Sequence, residues 1–223
     1  MKIAIDGPAG AGKSTISKAV AGELNYLYID TGAMYRSVGL AAVEAGINTR
    51  SETELAGIIG DILIDIKNTE DGQKYYLNGR DVTQKIREPQ ISMAASDVAV
   101  IPAVRLKLVE LQRKLAEKTD VVMDGRDIGT YVLRDAELKI FLTASVDERA
   151  RRRYNELRQK NSEADLDAVR AEMIKRDKND SEREFAPLRQ AEDAVLVDTT
   201  NMDIGEVIDK ILQLAKEKKN VTL

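Results

Sequence analysis

Residues 7 to 14, Gly-Pro-Ala-Gly-Ala-Gly-Lys-Ser, combine the groups needed to hold the phosphates of a nucleotide. The pattern is GxxxxGK[ST], and each part has a physical use. Glycines at 7, 10 and 12 let the main chain come close to a phosphate with its N–H groups turned inward. Lys13 is a cation placed to reach the β- and γ-phosphates, and the Ser14 hydroxyl is a hard oxygen ligand suited to Mg²⁺. The motif needs a strand before it and a helix after it. Ile3-Ala4-Ile5 supplies an apolar strand, and Ser14-Thr15-Ile16 opens a helical pattern whose positive N-terminal end favours an anion.

Other candidate groups cluster at predicted strand ends. Asp124 closes the apolar run Val121-Val122-Met123, where a carboxylate can sit near a metal through water, and Gly125, Arg126 and Asp127 follow. Asp30 ends another run and leads into Thr31-Gly32-Ala33-Met34-Tyr35-Arg36. Ligands of open parallel sheets bind at the carboxyl ends of strands. The plainer alternative for Arg126 and Asp127 is a surface ion pair. Arg149, Arg152 and Arg153 share one helix face by i, i+3, i+4 spacing, while Arg151 points elsewhere. Such a run can be a solvated helix. Beside a phosphate loop it is expected to act as a mobile lid over about residues 145–185, with guanidinium groups neutralising a transferring phosphoryl.

These residues require a scaffold, and the sequence outlines one. Core strands are predicted at Lys2–Asp6, Tyr26–Asp30, Asp120–Asp124, Leu138–Thr143 and Ala194–Asp198. The helical stretches that bound several of them predict an α/β fold with a five-stranded parallel sheet. Ile16, Ala19, Val20 and Leu24 keep helical spacing. Pro102 is expected at the first turn of a helix with Val104, Leu108, Leu111 and Leu115 inward. Ser145 with Glu148, and Asp203 with Glu206, have capping-box spacing. The last helix is expected to turn Val207, Ile208, Ile211 and Leu212 inward. Residues 61–83 alternate instead, with Ile62, Ile64 and Ile66 on one side and turns at Asp71-Gly72 and Asn78-Gly79. A small antiparallel insert is expected there, leaving 1–60 and 84–223 as the core.

Composition removes several function classes. The chain of 223 residues is 43% apolar and 32% charged, with a formal net charge of -4 from 34 basic and 38 acidic side chains. That balance argues against a nucleic-acid coat or a binder of anionic membranes. No apolar run exceeds four residues, far below the ~20 that cross a bilayer. The chain opens directly on a strand, so no signal peptide and a cytoplasmic site of action are expected. Neither cysteine nor histidine occurs, so thiol and imidazole mechanisms are excluded. Phosphoryl transfer suits the remaining carboxylates, arginines, lysines and amides, because it depends mainly on positioning and charge neutralisation.

Taken together, GPAGAGKST, YIDTGAMYR, VVMDGRDIGT, RDKNDSERE and APLRQAEDAVLVDTT resemble the bacterial cytidylate kinase family of P-loop nucleoside monophosphate kinases, essentially from end to end. The resemblance implies a Mg²⁺-dependent transfer of the γ-phosphoryl group of ATP to CMP or dCMP. It implies an ATP site on Gly7, Pro8, Ala9, Gly10, Ala11, Gly12, Lys13, Ser14 and Thr15. By matching motif, Arg36 and Arg126 clamp the CMP phosphate, and Arg105, Arg183, Asp127 and Thr31 read cytosine. Arg176 and Asp180 face the sugar, with Ser96 supporting Asp180. Asp127 has an alternative role, holding Arg126 in place.

Catalytic roles then fall to Lys13, Arg126 and the lid residues Arg149, Arg152 and Arg153. Ser14 is the expected Mg²⁺ ligand, with Asp124 acting through water. A monomer working on free nucleotides is expected, with neither nucleic acid nor membrane as partner. Three other readings are weighed against it, of which an ATPase acting on nucleic acid conflicts with the acidic balance and the short chain. A kinase for another small acceptor, such as UMP, AMP or shikimate, lacks support from the base-reading residues. A GTP switch needs DxxG and NKxD motifs, and neither spacing occurs in the chain.

Overall fold

Strand β1 (Lys2–Asp6) carries the run Ile3-Ala4-Ile5, and all three side chains are wholly buried. A strand apolar on both faces needs neighbours on both edges and layers above and below. In the computed structural model, which describes residues 1–69, 72–159 and 163–221, β1 lies at the centre of a five-stranded parallel sheet. The order is β2-β6-β1-β7-β8, with β2 at Leu27–Asp30, β6 at Val121–Gly125, β7 at Leu138–Thr143 and β8 at Val195–Asp198. Lys2 pairs with Val121 and Asp6 with Gly125 on one side, and Ile3 with Leu138 on the other. All five predicted strands form, three of them (β2, β6 and β8) starting one residue later than expected and β6 also ending one residue later, at Gly125.

Two compact units are present, one formed by Met1–Ile29 with Ala116–Leu223 and the other by Asp30–Leu115. In the first, Ile16, Val20 and Ala21 of helix α1 (Lys13–Leu24) pack with Ile3, Ile5, Val122, Leu138, Ile140 and Leu142. Val207, Ile211 and Ala215 of the last helix, α8 (Ile204–Val221), join the same core. That helix begins with the expected capping box. Glu206 N–H donates to Asp203 and Asp203 N–H donates to Glu206, both at 2.9 Å. The Arg-rich segment forms two helices, α6 (Val146–Gln159) and α7 (Leu166–Glu182). Ser145 Oγ accepts from the Glu148 N–H at the start of α6, and Asp165 caps α7 through the Ala168 N–H.

The second unit contains α2 (Thr31–Glu44), α3 (Glu52–Ile59), α4 (Pro89–Val98) and α5 (Pro102–Ala116). A Cβ on Gly39 of α2 would lie 2.9 Å from the Ala95 backbone nitrogen, so α2 and α4 approach closely there. The insert is a three-stranded antiparallel sheet, β3 (Ile64–Thr69), β4 (Gly72–Leu77) and β5 (Arg80–Asp81). Asn78 and Gly79, with φ of 48° and 80°, form the expected tight turn between β4 and β5. The turn expected at Asp71-Gly72 falls partly outside the described residues. One expectation for α5 needs correction. Its buried stripe runs through Val104, Arg105, Leu108, Val109, Gln112 and Ala116, while Leu111 and Leu115 are only partly covered. Two polar side chains, Arg105 and Gln112, hold places that apolar periodicity assigned to leucines.

Candidate active site

The phosphate loop joins β1 to α1. At Gly7, φ is 152° and an added Cβ would sit 1.9 Å from the Leu142 carbonyl oxygen, so only glycine passes. Gly12 takes the left-handed conformation at the N-cap of α1, and no side chain caps that helix. Its first-turn N–H groups and the positive end of its dipole therefore suit a phosphate oxygen. Lys13 is buried, and its ammonium donates to the Pro8 carbonyl at 2.7 Å. Burial pushes its pKa well below the usual lysine value, helped by the neighbouring Arg126 and opposed by Asp124 and Asp180.

Ser14 Oγ donates to Asp124 Oδ2 at 2.9 Å, and the Tyr28 hydroxyl donates to Asp124 Oδ1 at the same distance. Ser14 and Asp124, both expected near a metal ion, are thus side by side. Tyr28, the first residue of YIDTGAMYR but given no role from the sequence, fixes the orientation of the carboxylate.

After β6 the chain turns through Arg126 and Asp127 into a single π-helical turn, Ile128–Val132. Such turns are rare and concentrate at functional sites. The Ile128 and Gly129 N–H groups donate to the two carboxylate oxygens of Asp6, each at 2.8 Å. Asp6 is buried, and burial pushes its pKa up to about 7 against the opposing pull of those two N–H groups. Like Asp30 and Asp124 it ends a core strand, and that was the signal available for it.

Arg126 and Asp127 do not pair with each other. Arg126 Nε donates to Asp180 at 2.8 Å, and Arg183 Nη2 donates to Asp127 at 3.2 Å. Burial works against the charge on Arg126, but the Asp180 carboxylate raises its pKa overall. Asp180 is opposed by burial in the same way and is held below the usual carboxylate range by Arg126, with Arg176 and Arg183 adding to the effect. Asp180 and Arg183, from α7 and its C-cap, thus meet the turn after β6, and Arg176 of the same helix is an electrostatic neighbour.

The three face-sharing arginines of α6 have different partners. Arg149 is buried, donating to the Ala9 carbonyl at 3.0 Å and the Ala144 carbonyl at 2.9 Å, and pairing with Asp177 at 2.7 Å. It braces the phosphate loop against α7. Arg152 pairs with Glu148 and donates to the Thr199 carbonyl and hydroxyl. Arg153 makes an exposed pair with Glu156 in its own helix. Helical spacing places the three on one face, but side-chain length lets each end on a different partner.

In the second unit, Asp30 caps α2 by accepting the Ala33 N–H at 2.8 Å. Its other oxygen accepts from Arg36 at 2.9 Å and from Arg87 at 3.1 Å. Thr31 is buried in the first turn of α2. Arg105 is 1% exposed, donates to the Ala99 carbonyl and lies over the Tyr35 ring at 5.7 Å. Ser96 donates to the Ser92 carbonyl within α4. Sequence reasoning missed Arg87, which stands outside every recognised motif.

Among the described residues no group of three or more acidic side chains could hold a metal by itself. A hydroxyl and a carboxylate side by side, as at Ser14 and Asp124, fit a hard cation that keeps water and phosphate oxygens as its other ligands, as Mg²⁺ does. No helix among the described residues is long and apolar enough to cross a membrane.

Comparison with known proteins gives matches in both sequence and fold. The family model described as cytidylate kinase matches residues 3–217. A curated cytidylate kinase from Caldicellulosiruptor bescii is 53% identical over 214 residues, covering 96% of this chain and 95% of its own. One from Bacillus subtilis is 50% identical over 218 residues, covering 98% of this chain and 97% of its own. Among solved structures, an uncharacterised protein from Eubacterium ventriosum aligns with TM-score 0.55 at 15% identity, covering 96% and 97% of the two chains. A shikimate kinase from Bacteroides thetaiotaomicron aligns with TM-score 0.50 at 16% identity, covering 97% and 98%. At those identities the structural likeness speaks for the fold alone.

Proposed function

The chain belongs to the cytidylate kinase family, and on that premise we propose that it transfers the γ-phosphoryl group of ATP to CMP or dCMP. The products are ADP with CDP or dCDP. The observation that carries the reading is the family match over residues 3–217, which takes in the phosphate loop, DTGAMYR and DGRDIGT together.

In this reading Lys13 and the N–H groups of Gly7 to Thr15 hold the ATP phosphates. Ser14, with Asp124 acting through water, would hold Mg²⁺. The ion, when bound, supplies neutralisation of charge on the β- and γ-oxygens. Arg36 and Arg126 align the CMP phosphate, whose oxygen attacks the γ-phosphorus in line as ADP leaves. That phosphate is already largely ionised near neutral pH, so no general base is needed and no covalent enzyme intermediate forms. Arg149, Arg152 and Arg153 close over the γ-phosphate and keep water, the competing acceptor, out.

Cytosine offers an N4 amino donor that Asp127 and Thr31 can accept, while Arg105 and Arg183 donate to N3 and O2. Arg176 and Asp180 face the sugar, with Ser96 in support. Uracil presents a carbonyl at position 4, so an ionised Asp127 would meet it lone pair to lone pair at a cost of about 1–3 kcal/mol. The same reading includes a monomer acting in the cytoplasm on free nucleotides. Phosphorus-31 NMR of a mixture with ATP, Mg²⁺ and CMP tests the reaction. Stoichiometric appearance of CDP and ADP is expected, and ATP consumption that yields inorganic phosphate without CDP would overturn it.

A further inference from the structure

We propose that Arg87 is a further guanidinium of the acceptor-phosphate subsite, added to Arg36 and Arg126 and joined to Arg36 by their shared carboxylate Asp30. The inference rests on the CMP-kinase reading and adds a residue to it that no motif marks.

The two oxygens of Asp30 have separate partners. Oδ1 is committed to the Ala33 N–H at the start of α2, and Oδ2 receives both Arg36 and Arg87. The Asp30 side chain is 5% exposed, whereas Arg87 is 50% exposed and Arg36 17%. Burial alone would favour the neutral acid. Arg36 and Arg87 outweigh it and hold the carboxylate below its usual range. The cluster therefore contains two cations and one anion, an excess of one positive charge.

That excess is what a phosphomonoester requires, since it carries about -1.5 to -2 near neutral pH. Without Arg87 the same cluster is a neutral pair, and Arg36 would face the incoming dianion with its charge already cancelled. A second observation points to a ligand. Arg36 Nε is buried with no hydrogen-bond partner among the described residues. A buried N–H of a charged group is costly to leave unsatisfied, and a phosphate oxygen is the strongest acceptor that could meet it.

The plain alternative is that Arg87 only fastens its short 3₁₀ turn (Lys85–Arg87) to α2. Other contacts already do that. Lys85 pairs with Glu44 at the far end of α2, and Ile86 is wholly buried. Glu44 also accepts from Arg80, so the basic residues on either side of the turn are accounted for at that end. Arg87 alone reaches the N-terminal end of α2, where the helix dipole also favours an anion.

Calorimetric titration of the full chain and its Arg87→Gln variant with CMP and with cytidine separates the two roles. Gln keeps much of the side-chain volume and removes the charge. CMP affinity is expected to fall roughly tenfold or more, the range of a lost charge-assisted hydrogen bond, with cytidine affinity unchanged. Unchanged CMP affinity, or an equal loss for both ligands, would overturn the assignment of Arg87. A wild-type protein that binds no CMP would overturn the acceptor reading itself, and this inference with it.

Discussion

Asp6 accepts the Gly129 N–H at 2.8 Å, while its other oxygen takes Ile128. The last residue of β1, immediately before the phosphate loop, thereby grips the turn that follows Arg126 and Asp127. A buried carboxylate with two N–H donors and no ion-pair partner among the described residues is an expensive way to fasten a turn. What it secures is the start of the turn that Arg126 and Asp127 lead into.

The raised pKa of Asp6, about 7 against an ordinary value near 3.8, gives a signed prediction. Between those values the folded protein holds a proton on Asp6 and the unfolded chain does not. The group's contribution to stability therefore falls as pH rises from about 4 to about 7. Asp6→Asn carries no such proton. Thermal melts of both proteins at pH 5 and pH 8 should show the difference in Tm moving in the variant's favour at pH 8. A difference independent of pH would contradict the assigned burial of charge.

Arg149→Lys keeps the cation but not the planar fork that reaches the Ala9 and Ala144 carbonyls and Asp177 together. Loss of about 1–3 kcal/mol in stability is expected, with weaker ATP binding because Ala9 belongs to the phosphate loop. Denaturant unfolding and ATP titration measure the two effects, and an intact ATP affinity would remove Arg149 from loop support.

Arg153→Gln is the contrasting case. Its partner is Glu156 on an exposed helix face, so stability should change by no more than about 0.5 kcal/mol. Turnover at saturating ATP and CMP should nevertheless fall, because the proposed lid uses Arg153 only when substrate is bound. Wild-type turnover would reduce Arg153 to a solvated surface residue.

Lys13→Ala should remain folded, since removing a buried ammonium also removes its desolvation cost. Transferase activity should be almost abolished. Circular dichroism with a coupled assay checks both, and near-normal turnover would remove the assigned role.

Much of this site was legible from residue order. The phosphate loop, the strand-end aspartates Asp30 and Asp124 and the capping boxes are local patterns, and local patterns survive folding. What escaped was set by side-chain reach. Arg87 and Asp177 matter because long guanidinium groups find carboxylates from other elements, a relation with no fixed spacing. Arg149, Arg152 and Arg153 show the converse, since shared helical phase did not give shared partners. In α5 the periodicity of leucine misled, because Arg105 satisfies part of its buried guanidinium on the Ala99 carbonyl and rests on Tyr35.

The central claim is that a phosphate-loop donor site is matched to a cytosine acceptor. Initial rates of ADP release from ATP and Mg²⁺, with CMP, dCMP, UMP, AMP and GMP offered separately, test it most directly. The account predicts fast release with CMP or dCMP and, from the cost of facing uracil with Asp127, roughly tenfold to a hundredfold slower turnover of UMP at limiting concentration. Equal rates with UMP or AMP would contradict the cytosine-reading roles of Asp127, Arg105 and Arg183.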